Sequence, residues 1–235
     1  MDTYGSTASR PMAEDKRDLR WRGPFILFLL AVRELLRPVA YWHVFYVFER
    51  DVARQPLPEP YSKGKRENVE VRVYTRERDV DQAKTAVAAM GELSPEEINT
   101  RLNRGDAVAV ARVAGEPVGY GWLSLSTGVV ELAFGITWIV RAHEAVRYGN
   151  FVLPNWRGRG IQSFVNAAVN AYARDLGIAR TLASISTLNT QSMSLAKHSR
   201  TATTMKLVLV HIRGLNWTIH RASGAPFESR FIKPV

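Results

Sequence analysis

The junction between an apolar segment and a basic, glycine-rich turn at residues 151–162 constrains this chain more than any other feature. The sequence there reads Phe-Val-Leu-Pro-Asn-Trp-Arg-Gly-Arg-Gly-Ile-Gln, which is typical of a strand that leads through a tight turn into a helix. At a helix start, the first backbone N–H groups lack intrahelical acceptors and the helix dipole adds partial positive charge. The junction therefore predicts a binding site for a phosphate or pyrophosphate group.

Two arginines and two glycines form this phosphate turn, which comprises Arg157, Gly158, Arg159 and Gly160. Glycine allows the backbone to approach a pyrophosphate closely, and arginine supplies charge and hydrogen-bond donors. The chain has neither a GxGxxG fingerprint nor a Gly-Lys-Ser/Thr loop at this point. The turn is therefore not of the dinucleotide-binding or nucleotide-hydrolase type.

The segments that follow the turn predict a regular order of elements. Ser163–Leu176 has helical spacing of apolar residues, and Gly177 predicts its end. A short β-type segment, Thr181–Ser186, then leads to a polar helix start at Asn189. The apolar residues predicted to form the buried face of the helix are Phe164, Ala167, Ala168, Ala171, Tyr172 and Leu176.

Together these motifs resemble the GNAT superfamily of acyl-CoA-dependent N-acyltransferases. The family signature, Arg/Gln-x-x-Gly-x-Gly/Ala after the fourth strand, is present from Arg157, with Gln162 in place of the last small residue. Residues 152–161 are similar to the family's V-x-P-x-x-R-G-x-G-I pattern, and Asn189 with Ser192 matches its Asn-x-x-small pattern. The resemblance covers residues 69–235 and is strongest over 150–195.

The resemblance implies an α/β (α+β) fold with a mixed, splayed sheet of six or seven strands flanked by helices. It also implies acetyl-CoA or another acyl-CoA as cofactor. Backbone groups at 151–153 would face the pantetheine arm and thioester, 157–162 would hold the pyrophosphate, and Asn189 would brace the fifth strand. The cofactor-binding residues so implied are Phe151, Val152, Leu153, Arg157, Gly158, Arg159, Gly160, Ile161, Gln162 and Asn189.

Acyl transfer to an amine needs a group or a water path that accepts the amine proton. The resemblance makes Glu144 the first candidate for this base, because several family members place a glutamate near the start of the fourth strand. His143 is the second candidate, and alternation along a strand would put the two side chains on opposite faces. The alternative is that Glu144 only pairs with an arginine such as Arg141 or Arg147.

Ala196 stands where many family members carry a tyrosine that protonates the leaving thiolate. Ser192, Ser194 or His198 could take over that role or organise a water molecule. Hydroxyl groups at a polar helix start are more often caps or local backbone partners. A tyrosine-dependent protonation step at this position is therefore not predicted.

Composition limits the other classes of function. The chain has no cysteine, which excludes disulfides, thiolate zinc sites and a cysteine nucleophile and agrees with a cytoplasmic location. Its five histidines show no metal-ligand spacing, so no metal is predicted. The net charge of +10 favours an acidic partner, such as an acyl carrier protein, or an anionic membrane surface. No nucleic-acid-binding module is present, so nucleic acid is not an expected partner.

The N-terminal part predicts an appendage to a catalytic domain. We expect a disordered tail over 1–20, an apolar and aromatic helical appendage over 21–53, a proline-rich linker over 54–68, and the GNAT-like domain over 69–235. The apolar run is too short to span a bilayer. Residues 21–48 could instead contact a membrane peripherally, pack on the catalytic domain, or form a homodimer contact.

The sequence thus predicts an N-acyltransferase that moves an acetyl or longer acyl group from acyl-CoA to an amine by direct transfer. The acceptor would be a small molecule or a lipid-linked amine. Two alternatives are a long-chain N-acyltransferase that uses acyl carrier protein near the membrane and an inactive acyl-CoA-binding sensor. The missing tyrosine favours the sensor, whereas the intact phosphate turn indicates that cofactor binding is retained.

Overall fold

The computed structural model describes residues 28, 31, 32, 35, 40–56, 68–133, 136–198, 202–212, 217–224 and 231–232, with side chains over 46–56, 68–127 and 140–196 and at the four isolated positions. It divides into a larger unit, 44–208 with 221–235, and a smaller unit, 1–43 with 209–220. In the smaller unit the isolated positions are helical, and Phe28 and Leu35 are exposed. The predicted tail over 1–20 and most of the predicted linker lie outside the described residues.

The secondary-structure elements, in chain order, have the following bounds. The strands are β1 Ala40–Asp51, β2 Val69–Tyr74, β3 Ala107–Val113, β4 Glu116–Ser124, β5 Gly128–Ala133, β6 Ile136–Val140, β7 Glu144–Val152, β8 Arg180–Ser186, β9 Ala202–Ile212, β10 Trp217–Gly224 and β11 Phe231–Ile232. The helices are α1 Val80–Ala88, α2 Pro95–Asn103, α3 Ile161–Asp175 and α4 Thr190–His198, and a 3₁₀ turn spans Pro154–Trp156.

Six strands of the larger unit form a mixed sheet in the order β1-β8-β7-β4-β3-β2. The pairs β1–β8, β7–β4, β4–β3 and β3–β2 are antiparallel, whereas β7 and β8 are parallel. Strands β5, β6 and β11 form a separate small antiparallel sheet. Mixed pairing with helices on both faces of the main sheet confirms the predicted α/β architecture.

Strand β3 explains how the two faces differ. Val108 and Val110 point into a core with α1 and α2, whereas the alternate alanines of β3 point into a second core under α3. Because alanine is small, α3 can approach this face closely, and it does so through Ile161, Val165 and Val169. The sequence of β3 therefore places α1 and α2 on one side of the sheet and α3 on the other.

Two further turns carry signals in the sequence itself: Ser94-Pro-Glu-Glu97 predicts a capped helix start and Ala114-Gly-Glu116 predicts a hairpin, and the structure confirms both. Ser94 caps α2: its hydroxyl accepts from the Glu97 N–H over 3.2 Å, and the Glu97 carboxylate accepts from the Ser94 N–H over 3.1 Å. The predicted hairpin turn between β3 and β4 lies at Ala114 and Gly115, both with positive φ (50° and 86°). A two-residue turn of this kind matches the twist of the two strands.

The buried face of α3 is shifted from the predicted one, although the predicted Ala168 and Tyr172 pack against the same core. The buried apolar residues are Ile161, Val165, Val169 and Ala173, spaced four apart, and the predicted Leu176 is half exposed. The helix begins at Ile161, two residues earlier than predicted, and the β-branched residues form its core stripe. The error arose because both stripes have helical spacing, and only packing against the sheet selects one of them.

The N-terminal appendage also differs from prediction, because residues 40–51 form strand β1 and not part of a helix. This strand pairs with β8 from Phe45 to Asp51. Val47 and Phe48 are each only 2% exposed, so they belong to the core of the main sheet. Tyr, Phe and Val favour strands, and a neighbouring strand edge gave them a partner. The larger unit accordingly begins near residue 44 and not at 69.

Among the described helices, none has both the length and the apolar character needed to cross a bilayer. The predicted membrane contact over 21–48 stays a prediction for the residues of that segment that lie outside the described ones.

Candidate active site

The parallel strands β7 and β8 pair over a short stretch and then separate. Their paired residues are Glu144 with Arg180, Ala145 with Thr181, and Val146 with Leu182. From Arg147 onward β7 is not paired with β8, so this edge of β7 is open. A split between two neighbouring strands exposes backbone N–H and C=O groups of β7, against which an extended ligand can lie.

A β-bulge lies on β7 beside this split. Tyr120 of β4 is opposite Phe151 and Trp122 is opposite Tyr148, so Gly121 faces two residues of β7, Gly149 and Asn150. Gly149 has a φ of +56°, a conformation that glycine adopts without strain. A bulge re-aims the neighbouring backbone and side chains, and here it does so at the open part of β7.

The hydrogen bonds at the end of β7 show which backbone groups face the split. The Leu153 N–H donates to the Val118 carbonyl over 3.0 Å, so it belongs to the β4 side. Because successive N–H groups of a strand point to opposite edges, the Val152 N–H points toward the split. The Val152 carbonyl points the same way and accepts from Arg157 Nε over 3.1 Å. Of the predicted group Phe151, Val152 and Leu153, Val152 thus presents its backbone to the split.

The phosphate turn forms as the sequence predicts. Gly158 and Gly160 have φ of 79° and 81°, and Gly160 is the N-cap of α3. A Cβ on Gly158 would meet no atom within 4 Å, so the turn is open on that side. Arg159 is exposed and lies over the Trp156 ring, with its Cζ 4.7 Å from the ring centroid. The N–H groups of Ile161 and Gln162, in the first turn of α3, complete a typical anion-binding helix start.

Gln162, the departure from the family pattern, does not fill the turn. Its Nε2 donates to Asn166 Oδ1 over 3.3 Å, along α3. A Cβ on Gly121 would lie 3.5 Å from Gln162 Nε2 and only 2.5 Å from Asn150 Oδ1. The glycine at 121 therefore makes room for both amide side chains beneath α3.

Asn189 and Ser192 lie together at the start of α4. Asn189 Oδ1 accepts from the Ser192 N–H over 3.0 Å, which makes Asn189 a helix cap. Ala196 is buried in the same helix, and the side chain of His198 lies outside the described ones. The contact of Asn189 is thus with its own helix.

The two predicted base candidates lie at the closed end of the strand pair. Glu144 is the first residue of β7, roughly 25 Å of strand from Val152. Its side chain is 1% exposed and pairs with Arg180 Nη2 over 2.9 Å. His143 is exposed, has a φ of +64°, and accepts through its carbonyl from the N–H groups of Ala179 and Arg180. The structure therefore brings neither side chain to the split or the phosphate turn.

A cluster that sequence reasoning missed lies at the bulge, on the face of α1 and α2. The Tyr148 hydroxyl donates to Asp106, which is completely buried. Arg104 also donates to Asp106, through Nε over 3.0 Å, and to the Tyr148 oxygen over 2.8 Å. Arg101 lies over the Tyr148 ring, with its Cζ 5.2 Å from the centroid. This acid–base cluster comprises Arg101, Arg104, Asp106 and Tyr148.

Burial controls the protonation of the cluster. The pKa of Tyr148 is raised above its ordinary value, first by burial and then by the charge of Asp106 and the hydrogen bond to it, while Arg104 and Arg101 oppose this shift. Burial alone would lower the pKa of Arg104, but its hydrogen bonds to Asp106 and Tyr148 and their charges raise it. The Tyr148 hydroxyl therefore stays protonated at neutral pH, where it is hydrogen-bonded to Asp106.

One sequence signal could have located this cluster. Asp106 is an isolated acidic residue directly before the apolar strand β3, and buried carboxylates need partners. Its partner Tyr148 is 42 positions away, which only the pairing of β3, β4 and β7 explains. Among the described residues, no three acidic or histidine side chains meet in a set that could hold a metal ion.

An extended thioester arm along the open edge of β7 would end with its pyrophosphate at the start of α3, which is the arrangement of an acyl-CoA-dependent transferase. The sequence matches the model of the acetyltransferase (GNAT) family over residues 74–199, more than half of the chain. The chain belongs to this acetyltransferase family, whose members use acyl-CoA.

Several solved structures are similar to this chain at low sequence identity. One is a conserved protein of unknown function from Staphylococcus epidermidis ATCC 12228, 16% identical over 78% of this chain and 66% of its own, with a TM-score of 0.45. A GNAT-family protein from Novosphingobium aromaticivorans DSM 12444 is 13% identical over 74% and 66%, with a TM-score of 0.47. The chain thus spans just under two thirds of each of these proteins.

A third structure is the aminoglycoside N-acetyltransferase AAC(6')-Iy in complex with CoA. It is 17% identical over 60% of this chain and 91% of its own, with a TM-score of 0.45. A sequence search of curated proteins found no significant match.

Proposed function

We propose that this protein transfers an acyl group, acetyl in the simplest case, from acyl-CoA directly to an amine, with Tyr148 and Asp106 as the proton path. The observation that carries the proposal is that Tyr148, on the bulged part of β7, is hydrogen-bonded to the buried Asp106, which lies directly before β3. The same strand leads to the phosphate turn, so β7 would hold the donor along its C-terminal part and the proton relay at its bulge, in the middle of the strand.

The donor would lie in the split between β7 and β8. Its pyrophosphate would meet the first N–H groups of α3 together with the guanidinium of Arg159, and its amide arm would bond to the Val152 N–H. Arg157 bridges from the turn to the Val152 carbonyl over 3.1 Å and so fixes the strand end against the turn. Fixed donors of this kind bind charged groups without reorganisation.

The acceptor would approach from the face of α1 and α2, opposite α3. Tyr148 packs on that face and is only partly buried, whereas its partner Asp106 has no exposed surface. A neutral amine near the Tyr148 hydroxyl could attack the thioester carbonyl carbon. The C–N bond then forms as the C–S bond breaks, and the coenzyme thiolate leaves.

The cluster can accept the proton that the amine loses and return one to the leaving group. The nitrogen proton passes to the Tyr148 oxygen while the tyrosine proton passes to Asp106, and the reverse shift delivers one proton to the departing sulfur. The raised pKa of Tyr148 makes the tyrosinate unfavourable. This suits a relay in which the hydroxyl gives up one proton as it takes up another. Positioned proton transfer of this type contributes roughly 10²–10⁴-fold to a rate.

The test begins with donor binding. Purified protein is titrated calorimetrically with acetyl-CoA and with a long-chain acyl-CoA, and then assayed with a panel of amines for release of the coenzyme thiol. Because the chain has no cysteine, a thiol reagent reports the coenzyme alone. We expect acetyl-CoA binding and amine-dependent thiol release. If neither donor binds, the proposal is refuted. If a donor binds but no amine is acylated, the inactive acyl-CoA-binding sensor is favoured.

A further inference from the structure

We propose that the acceptor amine also carries a carboxylate, as an amino acid does, and that Arg101 binds this carboxylate. The inference rests on the proposed amine acylation and names the class of its acceptor. It derives from the position of Arg101 within the acid–base cluster and from the partners that its guanidinium has.

Two aromatic rings fix the Arg101 guanidinium. Its Cζ lies 5.3 Å from the Trp122 ring centroid and 5.2 Å from that of Tyr148. Nη1 lies directly over the bulge, 2.8 Å from the point that a Cβ on Gly149 would occupy. Contacts with ring faces leave the in-plane N–H groups to recognise a planar carboxylate. Arg101 is thus held in place against the ring of Tyr148, the residue whose hydroxyl we assign to the amine.

Arg104 has a carboxylate that balances its charge, and Arg101 differs in this respect. Arg104 pairs with Asp106, whereas within 46–56, 68–127 and 140–196 no carboxylate forms an ion pair with Arg101. Arg101 Nη1 is buried and has no hydrogen-bond partner there. Asp106 Oδ1 of the cluster and Nε1 of Trp122, whose ring Arg101 contacts, are also buried without partners. Buried polar groups are seldom left in this state, which points to a polar ligand at this cluster.

The charges around the cluster match an acceptor that carries one positive and one negative group. The exposed Glu92 and Glu97 raise the pKa of Tyr120 after burial, and Arg101 opposes them. The two glutamates would attract the ammonium form of an arriving amine, which releases one proton to solvent before the neutral amine attacks, and Arg101 would hold its carboxylate. A polycation such as an aminoglycoside would place a further positive charge against Arg101 and would be disfavoured.

The experiment compares matched acceptors with acetyl-CoA: several amino acids, each against its own carboxamide, and one aminoglycoside. For the wild type we expect kcat/KM at least about tenfold higher for the acids, the scale of a hydrogen bond to a charged group. In Arg101→Gln this preference should disappear, and Arg101→Lys should keep part of it. Arg72→Gln is the matched control, because Arg72 lies 5.3 Å over the Tyr74 ring, outside the cluster.

Calorimetry with the CoA-bound protein supplies a readout that needs no turnover. An N-acetyl amino acid should bind more tightly than its carboxamide, and Arg101→Gln should remove that difference. Equal kcat/KM for acids and carboxamides, or a preference for the aminoglycoside, would overturn the inference while leaving amine acylation established. If no amine is acylated, the proposed function fails, and the binding comparison still decides whether Arg101 recognises a carboxylate.

Discussion

Arg180 pairs with Glu144 across the parallel strands β7 and β8, with 2.9 Å between Nη2 and Oε1. The same guanidinium reaches Glu49 of β1 through Nη1 over 3.3 Å. This ion pair ties three strands together at the closed end of the split, just before β7 and β8 separate. Its position supports a structural role for Glu144 in holding the strands together.

We therefore expect Glu144→Gln to lower the free energy of unfolding by about 2–3 kcal/mol, because the buried partner of Arg180 loses its charge. The kcat should stay within about threefold of the wild type at temperatures where the variant is folded. Urea denaturation and initial rates measure the two effects. Glu49→Gln, whose side chain is 25% exposed, is the control and should cost less than about 1 kcal/mol. A hundredfold loss of kcat without loss of stability would restore Glu144 as the base.

Charge reversal at the phosphate turn should weaken coenzyme binding. Arg159→Glu replaces an exposed cation with an anion beside the α3 start, so we expect CoA affinity to fall at least about tenfold. Stability should change little, since the side chain is at the surface. Arg174→Glu, near the other end of the same helix, is the control for net charge. Unchanged affinity in Arg159→Glu would show that the turn does not bind the phosphates.

Removal of the Tyr148 hydroxyl should slow the transfer step. For Tyr148→Phe we expect kcat to fall roughly a hundredfold, with the affinity for acetyl-CoA unchanged. The raised pKa of Tyr148 keeps the hydroxyl protonated beyond the ordinary tyrosine range, so its ionisation should not shape the rate profile of the wild type between pH 6 and roughly 10. Tyr172→Phe, on α3, is the matched control. A Tyr148→Phe variant with full kcat would exclude the relay.

Arg147 is predicted to be a destabilising residue. Burial, and then the positive charge of Arg50, lowers its pKa from 12.5 to about 10. A folded-state pKa below the unfolded value means that folding disfavours the charged form, and this cost persists until the pH rises above about 10. At neutral pH we expect Arg147→Met to raise the free energy of unfolding by about 1 kcal/mol. Denaturant unfolding at pH 7 measures this, and a destabilised Arg147→Met variant would contradict it.

The control for Arg147→Met is a second Arg→Met variant that we expect to lower the free energy of unfolding. Arg112 donates to the Gly115 carbonyl over 3.1 Å and to the Tyr74 hydroxyl over 3.4 Å, so Arg112→Met loses favourable bonds. It should lower the free energy of unfolding by about 1 kcal/mol.

Features that depend on neighbours in sequence were predictable. The turn over 157–160, the capping box at Ser94 and the hairpin turn at Ala114 follow from residue types within a few positions of each other. Each depends on local backbone conformation or on hydrogen bonds over three residues. The resemblance of this same local stretch to GNAT proteins also identified the family correctly.

Features that depend on distant partners were not predictable. The aromatic residues 41–48 carry no signal that separates an interfacial helix from a strand, because the outcome depends on the free edge of β8, more than 130 positions later in the chain. Glu144 drew attention by its place near the start of a strand, but its role is set by Arg180, which comes after the α3 crossover. Tyr148 and Asp106 meet only through the pairing of three strands.

The sequence by itself determined the phosphate turn, the start of α3 and the family of the protein, since glycine conformations and helix-start donors are properties of a short segment. Only the tertiary structure decided where β7 and β8 separate, that Glu144 pairs with Arg180, and that Tyr148 meets Asp106. Those outcomes require side chains far apart in the chain to share one buried environment, where loss of water makes charge and hydrogen bonding depend on the partners that folding supplies.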